Sequence, residues 1–286
     1  MKKIGFIDNF LSEWHANNYP AMFLQNPLYK EFGMEICYAY AREDVSPYDK
    51  ITTDEWCKKF DVQKCDTVQE VVDKSDYLIV LSPDNPELHE ELCELPARSG
   101  KPTFVDKTFA PDAAAAERIF NLAAGHGTPV WSSSSLRFAD EIKKYRQSPE
   151  GAVSCIAAGP FLYDVYAVHI FEMMIAVMKS GAKRMMAVTN TLNRSIVTEW
   201  KDGRRALFTQ MQAHGAPFQI TVESKDEDAG CFYNIADAYF PRFIDAIIEF
   251  FTTGTPPVPA QETIDLMGML ETGRKALRQP FVWFDI

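Results

Sequence analysis

In the first half of the chain, apolar residues come in short runs separated by turn residues. Ile4 to Ile7 reads as a first strand, His15 to Lys30 as a helix, and Met34 to Ala41, opened by Gly33, as a second strand. Tyr77 to Leu81 is another apolar run, broken at Ser82-Pro83. A helix fits from Glu87 to Ser99, Gly100 stops it, and Pro102 to Val105 is a short strand. Pro111 precedes and Gly125 follows a helix over Asp112 to Ala124, and Pro129 to Ser132 is the strand after it. Strands and helices alternate to residue 135, as a doubly wound parallel sheet requires.

Past residue 150 the rhythm changes. Val153 to Ala158, Arg184 to Asn190, Ser195 to Trp200, Arg205 to Met211 and Phe218 to Glu223 read as successive strands with short turns. With the apolar helix Val165 to Met178 and two late helices, Phe240 to Phe251 and Gln261 to Arg278, they predict an α+β domain with a mainly antiparallel open sheet. The expected division is therefore a Rossmann-like domain over 1–135 and a substrate and oligomerisation domain over 136–286. Ile196, Trp200, Leu207 and Phe208, set among polar residues, are read as an open sheet face that seats a second copy, giving a homodimer or higher assembly.

At 286 residues and 47% apolar content the chain can bury a large core. Its formal charge of -11 repels phosphate backbones and anionic lipid, which argues against nucleic-acid and membrane partners. Six cysteines show no CxxC pair and no metal-type spacing with histidine, so no metal site is expected and the thiols read as reduced and structural. The N-terminal MKKIGFIDNF carries Asp8 early and shows no signal peptide, making the cytoplasm the expected location. Val165 to Met178 falls short of the roughly 20 residues of a membrane span and contains His169 and Glu172, so it reads as a buried helix.

The chemistry starts at Lys107. Ligands of open parallel sheets bind outside the carboxyl ends of the strands, and the Pro102 to Val105 strand delivers this lysine there. A lysine so placed can hydrogen-bond an alcohol oxygen and stabilise charge as its proton leaves, or can serve only to bridge two domains.

Ser82-Pro83 with His89 downstream, then SGKPTFVDKTFA, the helix DAAAAERIFNLAAGHG, Leu136-Arg137-Phe138, and an apolar helix bearing His169 follow in an order that resembles the glucose-fructose oxidoreductase, inositol dehydrogenase and MocA family. The late segment IDAIIEFFTTGTPPVPAQETIDLMGMLETGRKAL is similar to that family's C-terminal end, so the resemblance spans nearly the whole chain. It implies an N-terminal Rossmann domain binding NAD or NADP, a C-terminal domain whose open sheet face mediates oligomerisation, and hydride transfer on a hydroxyl of a sugar, polyol or related small molecule. The family's Glu-Lys-Pro signature reads Asp106-Lys107-Thr108 here. Its histidine base corresponds to His169, which a bland reading would make a core residue. The family's aspartate, four residues before that histidine, is replaced by Val165, and Asp164 lies five before.

By this resemblance Lys107, His169 and Asp164 are the candidate catalytic residues. Arg137 and Glu172 are the candidate substrate contacts, with the ligand cleft expected between Lys107, Arg137 and the His169 helix. Cofactor contacts are expected at Asp8, Asn9, Phe10, Arg42, Ser82, Pro83, His89 and Lys107. At the first turn the pattern departs from the family: Asp8, Asn9, Phe10 and Leu11 stand where glycines should bring backbone amides to a diphosphate. Arg42 is either a partner for a 2'-phosphate or a solvated strand-end residue. Two function classes stay open: a NAD(P)-dependent oxidoreductase, and a cofactor-free descendant that binds a small molecule or assembles.

Overall fold

A computed structural model of the chain describes residues 1–148, 152–190, 194–213, 215–225, 230–232 and 239–286, with the side chains of 230–232 excluded. The chain forms two units, Met1–Ser133 with Phe240–Pro259, and Ser134–Tyr239 with Ala260–Ile286.

In the first unit, strands β1 (Lys2–Asp8), β2 (Met34–Ala41), β3 (Gln63–Lys64), β4 (Tyr77–Val80), β5 (Thr103–Val105) and β6 (Val130–Trp131) form one sheet in the order β3-β2-β1-β4-β5-β6. Every pairing is parallel. This is the strand order of a dinucleotide-type doubly wound sheet, and its central strand β4 is buried on both faces, as helices on either side demand. The connecting helices are α1 (Trp14–Gln25), α2 (Pro27–Glu31), α3 (Thr53–Phe60), α4 (Val68–Lys74), α5 (His89–Leu92), α6 (Glu94–Arg98) and α7 (Ala113–Gly125).

Two helices expected to be continuous are interrupted, each by a proline. Pro27 keeps Asn26 extended, so the first helix ends there and restarts with Pro27 in its first turn. Pro96 has no amide to give the carbonyl of Leu92, and the expected Glu87 to Ser99 helix becomes a 3₁₀ turn (Pro86–Leu88), α5 and α6. The segment between β2 and β4 holds two helices that the apolar pattern did not announce, α3 with a Thr52/Glu55 capping box and α4 capped by Thr67. Gly5 has a packing reason: a Cβ there would stand 2.4 Å from Val71 and from Ser75 Oγ, so its absence lets α4 lie against β1.

The remaining helices are α8 (Lys143–Gln147), α9 (Tyr163–Met178), α10 (Tyr239–Thr253) and α11 (Ala260–Arg278). The expected division into 1–135 and 136–286 does not describe α10, which seals the first unit. Phe243 packs against Tyr19, Phe104 and Trp131, Phe251 stacks on Tyr77 at 4.8 Å, and Asn26 donates to Asp245 at 2.7 Å. The amphipathic face of α10 meets rings that β5 and β6 would otherwise leave uncovered.

In the second unit, β7 (Ser154–Pro160), β8 (Ala182–Thr189), β9 (Arg194–Trp200), β10 (Arg205–Met211), β11 (Gln219–Glu223), β12 (Gly230–Phe232) and β13 (Trp283–Asp285) are ordered β12-β11-β7-β10-β9-β8-β13. The pairings are antiparallel except β7 with β10. Helices α9 and α11 cover one face. Alternation decides which side chains they cover: Ile196, Trp200 and Phe208 are buried, Phe208 stacking on Phe171 at 4.4 Å. The expectation that these three form the open face is corrected, because strand parity puts them in the core. Leu207 is the one member on the other face, in a cross-strand row with Met186, Val197 and Ile156, the last 53% exposed.

No helix among the described residues is long and apolar enough to cross a membrane.

Candidate functional site

β1 leaves the first unit's sheet at Asp8, and the chain reaches α1 through Asn9, Phe10, Leu11, Ser12 and Glu13. The exposed amides of a helix start are where an anion docks. Here Glu13 occupies them itself: its carboxylate accepts from the His15 amide at 2.7 Å and from the Ala16 amide. Burial pushes the Glu13 carboxyl up to about 7, against the pull of His15 and of those amides. Asp8 is buried too. One of its oxygens accepts from the Asn9 amide at 2.6 Å, and the other is buried with no hydrogen-bond partner. Burial first, and Glu13 second, raise its pKa well above the usual carboxylate range. Phe10 is packed edge-on against Tyr48, ring centroids 5.4 Å apart. Asn9 reaches Asn85 only at 3.4 Å.

β5 ends next to this turn's helix with Asp106 and Lys107. Asp106 is fully buried, its amide donates to the Val80 carbonyl at 2.8 Å, and the Tyr19 hydroxyl donates to Oδ1 at 3.2 Å. Its Oδ2 lies against His15 Nδ1, a contact that becomes an ion pair when the ring is protonated. Burial raises the Asp106 carboxyl, but the charge and hydrogen bond of His15, helped by Lys107, leave it below its ordinary value. Lys107 is 9% exposed beside it. His15 and Tyr19 were not candidates on sequence, although their spacing of four places both on one helix face and Asp106 departs from the family's glutamate.

The other expected cofactor residues divide. Ser82 sits at φ 85° and its hydroxyl donates to Asn85 O at 3.2 Å, shaping the turn after β4 in which Pro83 is half-buried. Arg42 is half-exposed and paired with Glu43 and Glu91, each at 3.2 Å, contacts weak enough to exchange for another anion. His89 is corrected as a direct contact. It has no exposed surface, and its ring nitrogens face the carbonyls of Phe109, at 3.0 Å, and Leu81, so it ties two strand exits together. Burial lowers its pKa.

In the second unit His169 is half-buried on α9, with Nδ1 2.7 Å from Ser134 Oγ and its ring edge-on to Phe218. Ser134 was missed on sequence; the signal is its place in the Ser132 to Ser135 run that follows β6. Asp164 is corrected as its partner. Because α9 begins at Tyr163, both residues are helical, and five positions turn about 500°. Asp164, its side chain 77% exposed, pairs instead with Arg274 at 2.8 Å. Arg137 and Glu172 are corrected as substrate contacts. Arg137 is buried between Glu172 and Glu262, the latter at 2.6 Å, and this closed cluster leaves neither guanidinium nor Glu172 facing a ligand. Although burial favours its neutral form, the two carboxylates raise the Arg137 pKa.

Among the described residues no group of three or more histidine, cysteine, aspartate or glutamate side chains could hold a metal ion. The first turn does not fit a dinucleotide diphosphate as it stands, since the helix amides are taken by Glu13 and Asp8 and Asp106 add buried carboxylates at the same edge.

Residues 44–134 match the oxidoreductase family with an NAD-binding Rossmann fold, Gfo/Idh/MocA. No curated protein matches the chain. Among solved structures, scyllo-inositol dehydrogenase from Lactobacillus casei with bound NAD(H) and scyllo-inositol is similar at 12% identity and a TM-score of 0.78, over 100% of this chain and 99% of that one. A probable dehydrogenase from Thermotoga maritima is similar at 14% identity and a TM-score of 0.74, over 99% and 98%. The WlbA dehydrogenase from Bordetella pertussis, in complex with NADH and UDP-GlcNAcA, is similar at 10% identity and a TM-score of 0.74, over 100% and 99%. The resemblance to Gfo/Idh/MocA oxidoreductases is thereby borne out, in sequence over residues 44–134 and in fold across both units.

Proposed function

We propose that the chain is a Gfo/Idh/MocA-type oxidoreductase acting on a hydroxyl of a sugar, polyol or related small molecule. The observation that carries this reading is the His169 ring, held through Nδ1 by Ser134 on a helix at the position of the family's base. When Nδ1 donates to Ser134, Nε2 carries the lone pair and can accept the hydroxyl proton. Lys107 stands at the family's lysine position, and resemblance gives it the role of supplying positive charge in such a reaction. NAD or NADP is the hydride acceptor of such a reaction by family, and the Asp8 to Glu13 turn does not fit its diphosphate.

Titration of the purified chain with NADH and NADPH, followed by nicotinamide fluorescence, tests the reading, and saturable binding of either supports it. Silence with both favours a second reading, a small-molecule-binding protein that keeps the fold without a dinucleotide. The capping of α1 by Glu13 is the observation on that side.

A symmetric dimer on the open face of the second sheet belongs to the same proposal, with Met186, Val197, Leu207 and Ile156 as its row of contacts. A cytoplasmic location does as well, on the ground that Cys37, Cys57, Cys65, Cys93 and Cys155 are free thiols.

A further inference from the structure

We infer that His15 and Asp106 form an acid–base dyad at the carboxyl edge of the first unit's sheet, and that its ligand is an uncharged polyhydroxylated small molecule. The inference rests on the proposed hydroxyl-bearing ligand but not on a dinucleotide.

The dyad has the construction that proton transfer needs, a ring fixed on one side and open on the other. Asp106 cannot swing away, because its own amide is bound by Val80 O at 2.8 Å and its Oδ1 by the Tyr19 hydroxyl at 3.2 Å. Its other oxygen meets His15 Nδ1. The imidazole is stacked on Tyr19 at 5.4 Å and edge-on to Trp14 at 5.1 Å, and its backbone amide is bound by Glu13 at 2.7 Å. Ring and main chain are thus both held. Among the described residues Nε2 makes no hydrogen bond, and the side chain keeps 12% of its surface exposed. With the ring neutral and Nδ1–H facing Asp106, Nε2 carries the lone pair, and the carboxylate beside the ring stabilises the imidazolium formed when Nε2 takes a proton.

The setting selects the ligand. Asp8 closes β1 and Asp106 follows β5, so the dyad stands where open α/β sheets bind their ligands. The carboxyls in contact with the ring are those of Asp106 and Glu13, and they favour ligand groups that donate to them. The second carboxyl oxygen of Asp8 is buried without a hydrogen-bond partner, a costly state that a ligand hydroxyl relieves. The step is a proton transfer alone: the ligand O–H breaks, N–H forms at Nε2, and the electron pair stays on oxygen.

The test uses the full-length chain labelled with 15N-histidine, without dinucleotide, each ring assigned by a His→Gln variant. Myo-inositol, D-glucose and D-sorbitol are the probes. The His15 ring signals are expected to move saturably with at least one of them, and Asp106→Asn to weaken that response about tenfold. Should Asp106→Asn fail to fold, Tyr19→Phe keeps the ring and removes only the hydroxyl on Asp106, and it should shift the midpoint of the His15 pH titration. A response confined to His169 overturns the dyad and leaves the hydroxyl reading standing. No response at His15 to any probe overturns it as well, as does a His15 titration unmoved by both variants.

Discussion

The carboxylate of Glu13 binds the amide of Ala16, so α1 brings its own anion to the end where a cofactor phosphate would sit. A dinucleotide must displace that carboxylate and approach Asp8 as well. Dinucleotide affinity of the unaltered chain is therefore expected to be weak. Asp8→Gly with Phe10→Gly should tighten it by at least about tenfold, or 1.4 kcal/mol, and adding Glu13→Gly should tighten it further. Nicotinamide fluorescence titration measures both, and a folded triple variant that binds no better would show that the turn is not what limits affinity.

Glu13 also gives stability a pH dependence. Its folded pKa of about 7 lies above the ordinary 4.5, so its contribution is fully present below about pH 4.5 and lost as pH rises through 7. Asp8, raised as well, acts in the same direction, while Asp106, lowered, adds nothing between pH 5 and 8. His89, lowered by burial, works oppositely below about 6.5. Glu13→Gln removes one contributor alone. Its unfolding free energy from urea titration should gain on the wild type by on the order of 3 kcal/mol between pH 5 and 8, and parallel curves would refute the assignment.

Arg137 is in direct contact with both Glu172 and Glu262. Truncating it removes the guanidinium that the two buried carboxylates share. Arg137→Met should cost about 3–5 kcal/mol, with Glu172→Gln milder because it leaves the guanidinium a second carboxylate. Equal losses in chemical denaturation would mean that packing, not charge, dominates.

Gly5→Ala should destabilise by about 1–3 kcal/mol, since its Cβ would press on Val71 and Ser75 and force α4 off β1. Pairing it with Val71→Ala should recover part of the loss. No recovery would place the strain elsewhere.

Leu207→Ser and Val197→Ser together should halve the mass seen by light scattering at micromolar concentration, if the open face joins two copies. A wild type already at monomer mass would remove the dimer.

The apolar runs made the sheet architecture legible, down to β2 and β10 at their residue limits. They failed where polar helices carried the connection, as in α3 and α4, whose caps are clearer than their faces. They also failed on sidedness. Alternation along β9 and β10 separates two faces but does not say which one helices cover, and so Ile196, Trp200 and Phe208 were read outward. At the site, His169 was legible by its position on an apolar helix, but Ser134 lies 35 residues away and its meeting with His169 is a product of the fold. Arg137 looked like a ligand-binding cation because its partners, Glu172 and Glu262, come from two distant helices. His15 and Asp106 are 91 residues apart, and neither reads as half of a pair until β1 and β5 end side by side around β4.

The return of α10 to the first unit bears on how the chain is made. When a ribosome has released residues up to Ser133, the six parallel strands exist but Phe104 and Trp131 still lack the Phe243 ring that closes over them. Over a hundred residues of the second unit are synthesised before that helix emerges. The first unit thus waits unsealed through the birth of the second, and its nascent core is the stretch that a chaperone would have reason to hold.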